Sequence, residues 1–143
     1  MKNITKIILA LTAILTFSCS KDDKGKVDMG EFYGPYIYFN SASAQTVTAG
    51  GAEAKIPVTI YIPVWKDFDV QYELRGNYNL SGSYTVTAGN RADAISLTVP
   101  LDPSITTTVV DTLYLISATN GVKIGRQNVP SNNKIKKLIK IVH

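Results

Sequence analysis

The chain has 143 residues, one cysteine, one histidine and a formal net charge of +4 at neutral pH. Such a weak positive excess argues against a nucleic-acid-binding protein, which normally concentrates lysine and arginine on one surface. The length allows one domain of common size after a targeting segment.

The first segment, residues 1–18, is predicted to be a signal peptide. Lys2 and Lys6 give it a positive start, and residues 7–17 form an uncharged apolar run that ends before small residues. This order is typical of secretory signals. The run is shorter than the roughly 20 apolar residues that a transmembrane helix needs. A buried helix or a membrane anchor is the alternative interpretation.

Cys19 follows this segment and resembles the lipobox cysteine of bacterial lipoproteins, which is lipidated after cleavage. The lipobox usually has leucine three residues before the cysteine, whereas this chain has Thr16 there and Leu15 one residue earlier. A lone cysteine in an exported protein is otherwise a free thiol or half of an intermolecular disulfide. Its position at the cleavage point favours lipidation, and several acyl chains would make the anchoring stable.

Residues 19–34 are predicted to be the lipidated cysteine and a flexible tether, because they are polar, charged and contain glycine. Lys21, Asp22 and Asp23 resemble the surface-export signal of Bacteroidetes lipoproteins, in which a lysine and two acidic residues follow the cysteine. This resemblance implies a lipid-anchored protein of the outer membrane that is exposed at the cell surface.

Residues 35–143 are predicted to form one all-β domain, because apolar and polar residues alternate in most of its segments. Pro57 and Pro63 lack the backbone N–H, so their strand should lie at an edge or lose pairing there. The predicted strands are Tyr36–Phe39, Gln45–Thr48, Ala54–Pro63, Phe68–Leu74, Ser83–Thr87, Ala94–Val99, Val109–Ala118 and Leu138–Val142.

Short strands separated by turn residues favour a single immunoglobulin-like β-sandwich of about seven strands, with a small closed barrel as the alternative. The segment Leu113–Ile116 is apolar on both faces, which is typical of a central strand. A cluster of lysines just before and within the last strand indicates a protected edge strand. These lysines are Lys134, Lys136, Lys137 and Lys140.

Several of these segments resemble the strands of Calx-beta domains. Tyr38–Ser41 followed by Gln45–Gly51 is similar to the opening of that family, and Val70–Leu74, Ile95–Val99 and Asp111–Leu115 are similar to its later strands. The resemblance covers about residues 36–143. It implies a Calx-beta-like sandwich and, in some members, calcium binding by an acidic run between the last two strand motifs.

Calcium prefers six to eight oxygen ligands. In the stretch that corresponds to the acidic run of the family, only Asp102 and Asp111 are acidic. A calcium site would also need Glu53, Asp67 and Asp69 at the same end of the sandwich. The sequence therefore predicts no metal and no cofactor, and calcium-dependent adhesion is kept as an alternative function.

No GxSxG, HExxH, CxxC or glycine-rich phosphate motif occurs, and the only histidine is the terminal His143. We therefore expect a non-catalytic binding or assembly module that contacts a partner protein. The alternative is carbohydrate binding by Trp65 and Tyr78, which lie in turns near amides and carboxylates. The competing interpretation of Trp65 is that it fills the end of the core. The membrane is the second expected partner, through the lipid on Cys19.

The anchor assignment makes a direct prediction for Cys19→Ser. Without the thiol there is no group to acylate, so we expect no incorporation of labelled fatty acid and no cleavage by the lipoprotein signal peptidase. Metabolic labelling with a fatty acid and the electrophoretic mobility of the chain measure both effects. Equal labelling of the variant and the wild type would refute the assignment.

Overall fold

A computed structural model describes residues 34–129 and 133–143. These ranges contain nine strands and no helix. Accordingly, the described part of the chain has no helix that could span a membrane. The predicted signal peptide, Cys19 and the Lys21–Asp23 segment lie outside the described residues.

The strands form two sheets with the orders β6-β3-β1-β8 and β2-β9-β7-β4-β5. The prediction of an all-β, two-sheet sandwich is thus confirmed, and the closed barrel is not formed. The strands are β1 (Tyr36–Phe39), β2 (Gln45–Thr48), β3 (Ala54–Tyr61), β4 (Phe68–Arg75), β5 (Leu80–Val86), β6 (Ala92–Leu97), β7 (Val109–Ala118), β8 (Lys123–Ile124) and β9 (Lys136–Val142).

The core lies between the two sheets and is built from the inward positions of alternating strands. In β3 the inward residues are Ile56, Val58 and Ile60, and all three are buried. In β7, Leu113 and Leu115 occupy the same kind of position. Burying each such side chain contributes roughly 1.5–3 kcal/mol relative to exposure.

One stretch of chain serves both sheets. β1 pairs antiparallel with β3, from Tyr36–Tyr61 to Phe39–Val58. After the crossover, residues 40–44, β2 pairs in parallel with β9 in the other sheet. The pairing between β1 and β3 ends at Val58, because the chain turns away into the crossover after Phe39. Pro57 therefore has no partner in β1, and its missing N–H costs no hydrogen bond to that strand. β3 is not an edge, and Pro57 still lies opposite Ala94 of β6, so the predicted loss of pairing occurs only toward β1.

The lysine-rich strand is not an edge, so the edge prediction was wrong. β9 lies between β2 and β7, because the short β2 covers its outer side. Lys137 is 6% exposed. Its Nζ donates hydrogen bonds to the carbonyl oxygens of Ser41 (3.1 Å) and Ser43 (3.0 Å) in the crossover. Lys134 Nζ donates to the carbonyl oxygen of Asn40 at 3.1 Å.

The loops gather at two ends of the sandwich. At one, which we call the Trp65 end, the loops are bound to one another: Gly89 N–H donates to the Val64 carbonyl at 2.8 Å. At the opposite end, Gly50 N–H donates to the Val99 carbonyl at 2.8 Å. The Trp65 end consists of loops 62–67, 87–91 and 119–122, and the opposite end consists of loops 49–53, 76–79 and 98–108 with the C-terminus.

The buried ammonium of Lys137 predicts a stability effect of Lys137→Met. The variant leaves two crossover carbonyls without their donor, so the free energy of unfolding should fall by about 1–3 kcal/mol in urea unfolding near neutral pH. Lys140→Met, on the exposed side of β9, is the matched control and should change little. Equal unfolding of the two variants would contradict this assignment.

The same lysine predicts a pH dependence. Burial lowers the pKa of Lys137 from its ordinary value of 10.5. Between the lowered pKa and 10.5 the unfolded chain binds more protons than the folded chain, so this group adds stability as the pH rises through that window. The stability difference between wild type and Lys137→Met should therefore grow toward pH 10.5.

Candidate functional site

The outer surface of β7 and β9 carries three of the exposed large apolar side chains of the described residues, Val110, Ile116 and Leu138. Along β7 the residues alternate, so that Asp111, Leu113 and Leu115 point inward while their neighbours point outward. The same alternation in β9 brings lysines and one leucine outward. We call this surface the β7/β9 face; it consists of Val110, Thr112, Tyr114, Ile116, Lys136, Leu138 and Lys140.

The apolar residues of this face are in solvent. Val110 is 55% exposed and Leu138 is 45% exposed, although both lie in strands that are paired on both sides. Leu138 lies opposite Thr112, and Val110 is its diagonal neighbour on the next strand. Diagonal neighbours on one sheet face are roughly 7–8 Å apart, so the two side chains belong to one patch. Contiguous apolar patches with a polar rim mark interaction sites.

A shallow cleft and several cations border the patch. Lys136 and Lys140 form no ion pair with any described residue, whereas Arg75 pairs with Glu73 at 2.6 Å. The Arg75 guanidinium also lies 4.9 Å from the centroid of the Tyr114 ring. The rim therefore carries excess positive charge. The cleft has a volume of about 310 Å³ and is lined by Ala42, Thr112, Tyr114, Lys136 and Leu138.

Trp65 lies at the tip of the loop between β3 and β4 and is 92% exposed. The interpretation that it fills the end of the core is therefore wrong. Its loop is held from the sides, because Ala88 N–H donates to Asp67 Oδ1 at 2.8 Å and Asn120 Nδ2 donates to the Asp67 carbonyl at 2.6 Å. The indole is thus presented to solvent by an anchored loop.

Tyr78 is 5% exposed and packs in the core, so the expectation that it lies exposed beside Trp65 was wrong. Trp65 precedes the eight-residue β4 and Tyr78 follows it. Such a strand is about 27 Å long, which places the two residues at opposite ends of the sandwich. The structure does not form the shared carbohydrate surface that the sequence suggested.

Asp111 is buried because it holds the turn between β4 and β5. Its Oδ1 accepts hydrogen bonds from the backbone N–H (2.8 Å) and Nδ2 (2.9 Å) of Asn77, and its Oδ2 accepts the Tyr78 N–H at 2.7 Å. A Cβ at Gly76 would overlap the Asp111 carboxylate. The carboxylate therefore has a structural role, since a buried charge is tolerated when it is fully hydrogen-bonded.

The other candidate calcium ligands do not converge. Glu53 lies in the loop before β3 and pairs with Lys55, whereas Asp67 and Asp69 lie at the Trp65 end. The shared end that a calcium site would need is therefore not formed by Glu53, Asp67 and Asp69. Hydrogen bonds from Ser104 lower the pKa of the Asp102 carboxyl. No group of three or more metal-ligating side chains exists among the described residues, which therefore do not fit calcium.

No family model matches the chain, and no curated protein sequence matches it. Solved structures do resemble it. The crystal structure of the apo-form Calx CBD1 domain has a TM-score of 0.53 at 17% identity, over 76% of this chain and 96% of that one. The calcium binding domain CBD12 of CALX1.1 has a TM-score of 0.53 at 18% identity, over 74% of this chain and 44% of that one.

The Calx CBD2 domain is also similar, with a TM-score of 0.52 at 10% identity over 74% of this chain and 85% of that one. At such identities the likeness shows the fold alone. The Calx-beta-like sandwich that the strand motifs implied is therefore confirmed.

The separation of the carboxylates predicts the response to calcium. We expect the same melting temperature in millimolar calcium and in excess chelator. A ligand at 100 times its dissociation constant would add about 2.7 kcal/mol to the stability of the folded state, which calorimetry detects as a shift of several degrees. A shift of that size that is lost in Asp102→Asn would contradict the conclusion that these carboxylates do not form a calcium site.

Proposed function

We propose that this chain is a non-catalytic lipoprotein module that is anchored through Cys19 and contacts a partner protein through the β7/β9 face. The observation that carries the proposal is the exposure of Val110 and Leu138 in one patch on paired central strands. The solvent-facing side of a sheet also accommodates polar residues, as Thr112 opposite Leu138 shows. Apolar side chains there gain free energy only when another surface covers them.

The chemistry of the face defines the partner. The centre of the face is apolar, and Lys136 and Lys140 at its rim form no ion pair with the described part of the chain. This pattern fits a partner surface that is apolar in the middle and acidic around it. Apolar and aromatic anchors at the centre supply most of the binding free energy. The rim charges raise the association rate and make it dependent on ionic strength.

The proposed location follows from the segment before the domain. Cys19 supports a lipid anchor, and Lys21–Asp23 supports export to the outer surface of the outer membrane. One similar structure is described as a calcium binding domain. In this chain the described carboxylates are divided between two ends, which favours a contact independent of calcium over calcium-dependent adhesion.

Site-specific photo-crosslinking tests the face in the lipidated protein. A photoreactive residue at position 138 should crosslink one envelope protein from intact membranes. The same residue at position 101, where Leu101 is also exposed but lies at the opposite end, is the matched control and should not. The crosslink should be lost when Val110→Asp is added, because a carboxylate would be desolvated in the apolar centre.

Circular dichroism and the melting temperature establish that each variant is folded. Raised salt should slow association but leave the complex formed at saturation, because only the rim is charged. Crosslinking that is equal at positions 138 and 101, or that survives Val110→Asp, would refute the β7/β9 face as the contact.

A further inference from the structure

The chain enters the domain at the Trp65 end. The described residues begin at Gly34, and Lys123 N–H donates to the Pro35 carbonyl at 2.9 Å. In the first pair of β1, Tyr36 lies opposite Tyr61, the last residue of β3 before the Trp65 loop. The segment that comes from Cys19 therefore reaches the sandwich beside the loops of this end.

The length of that segment limits the distance between this end and the anchor point. Residues 20–33 span at most about 50 Å even when fully extended. A lipid on Cys19 would therefore keep the Trp65 end close to the bilayer at a high local concentration.

Trp65 has the properties of a membrane-interface residue. It is 92% exposed, and its loop is hydrogen-bonded to both neighbouring loops. Little conformational entropy is therefore lost when the indole inserts into another phase. Ile62, which begins this loop, has φ of 64°, an unfavourable value for a β-branched residue that the surrounding contacts must maintain. Tryptophan is enriched where protein meets the headgroup layer.

Two cationic side chains lie at the same end as this indole. Lys66 and Arg91 are exposed and form no ion pair with any described residue. The nearby carboxylates of Asp67 and Asp69 accept hydrogen bonds from Ala88 N–H and Thr85 Oγ1. A cleft of about 360 Å³ next to the loop is lined by Thr59, Ile60, Tyr61, Ile62, Pro63 and Arg91. It is apolar along β3 and has one guanidinium, which suits a lipid phosphate with adjoining hydrocarbon.

We propose that the Trp65 end docks onto the headgroup layer of a lipid bilayer, with Trp65 inserted among the headgroups and with Lys66 and Arg91 bound to lipid phosphates. This inference rests on the proposed lipid anchor for its location. It adds an oriented contact that acylation alone does not supply. Asp67 and Asp69 offset these two cations at the same end, so the docking depends on the inserted indole and on direct contacts of Lys66 and Arg91 with phosphates rather than on net charge.

Fluorescence tests the contact without an added label, because Trp65 is the only tryptophan. The lipidated protein is reconstituted into phosphatidylcholine vesicles with or without phosphatidylglycerol. We expect a blue-shifted emission relative to the same protein unfolded in urea. Lipids brominated high on the acyl chain should quench that emission about twofold or more, and deeper bromines should quench it less, because indole prefers the interface.

A second measurement removes the anchor. The chain from Ser20 to His143 retains the compact unit Tyr33–His143 with its hydrophobic core. It can therefore be used to measure membrane binding without the lipid anchor. Sedimentation with anionic vesicles should show binding that falls about tenfold in Trp65→Ser, because the apolar area of an indole is lost from the contact. Arg91→Glu should also weaken it. Leu101→Ser, an exposed apolar residue at the opposite end, is the matched control and should bind like wild type.

The outcomes separate the two proposals. Trp65 emission that is neither shifted nor quenched, in protein whose Cys19 carries lipid, overturns the docking and leaves the anchor standing. Vesicle binding by chain 20–143, together with a full-length protein that shows no lipid labelling at Cys19, overturns the anchor and supports the docking. An emission change with soluble polysaccharides and none with vesicles overturns the docking in favour of a carbohydrate site at Trp65.

Discussion

The architecture depends on one stretch of backbone that belongs to both sheets, and two lysines hold the point where it changes sheet. The crossover after Phe39 leaves carbonyl groups between the pairing with β3 and the pairing with β9. Lys137 and Lys134 donate to those carbonyls. Burying an ammonium is costly, and charge-assisted bonds to carbonyls offset this cost. Because β9 supplies Lys137 and also pairs with β2, the same strand fixes both halves of the crossover.

Once the crossover is fixed, the ends of the sandwich take different roles. Asp111 projects inward from β7 and binds the backbone of the β4–β5 turn, which closes the end that contains Tyr78. At the other end, Asp67 links its loop to two neighbouring loops, because its carboxylate accepts from Ala88 N–H and its carbonyl accepts from Asn120 Nδ2, and Trp65 is left outside. A buried carboxylate thus consolidates one end, while an exposed indole characterises the other.

The sequence predicted those features that depend on local periodicity. The bounds of β1, β2 and β7 agree with the predicted strands, because alternation and flanking turn residues define them. The sequence did not predict features that depend on pairing between distant segments. The lysines of β9 indicated an edge strand, but β9 is covered by its parallel pairing with β2, which no local pattern indicates. Trp65 and Tyr78 both lie in polar turns, and the neighbouring residues in the sequence do not indicate which of the two side chains packs against the core. β8 has two residues, too few for a periodic signal.

The two proposed contacts use different surfaces, and this follows from the direction of the strands. β7 and β9 run between the two ends, so a domain standing on its Trp65 end would present the β7/β9 face sideways, parallel to the membrane normal. A tether alone would allow Val110 and Leu138 to face any direction. Restricting the rotation of the domain would reduce the entropy lost when a second membrane-bound protein meets this face. The membrane contact would thereby strengthen the protein contact without sharing a residue with it.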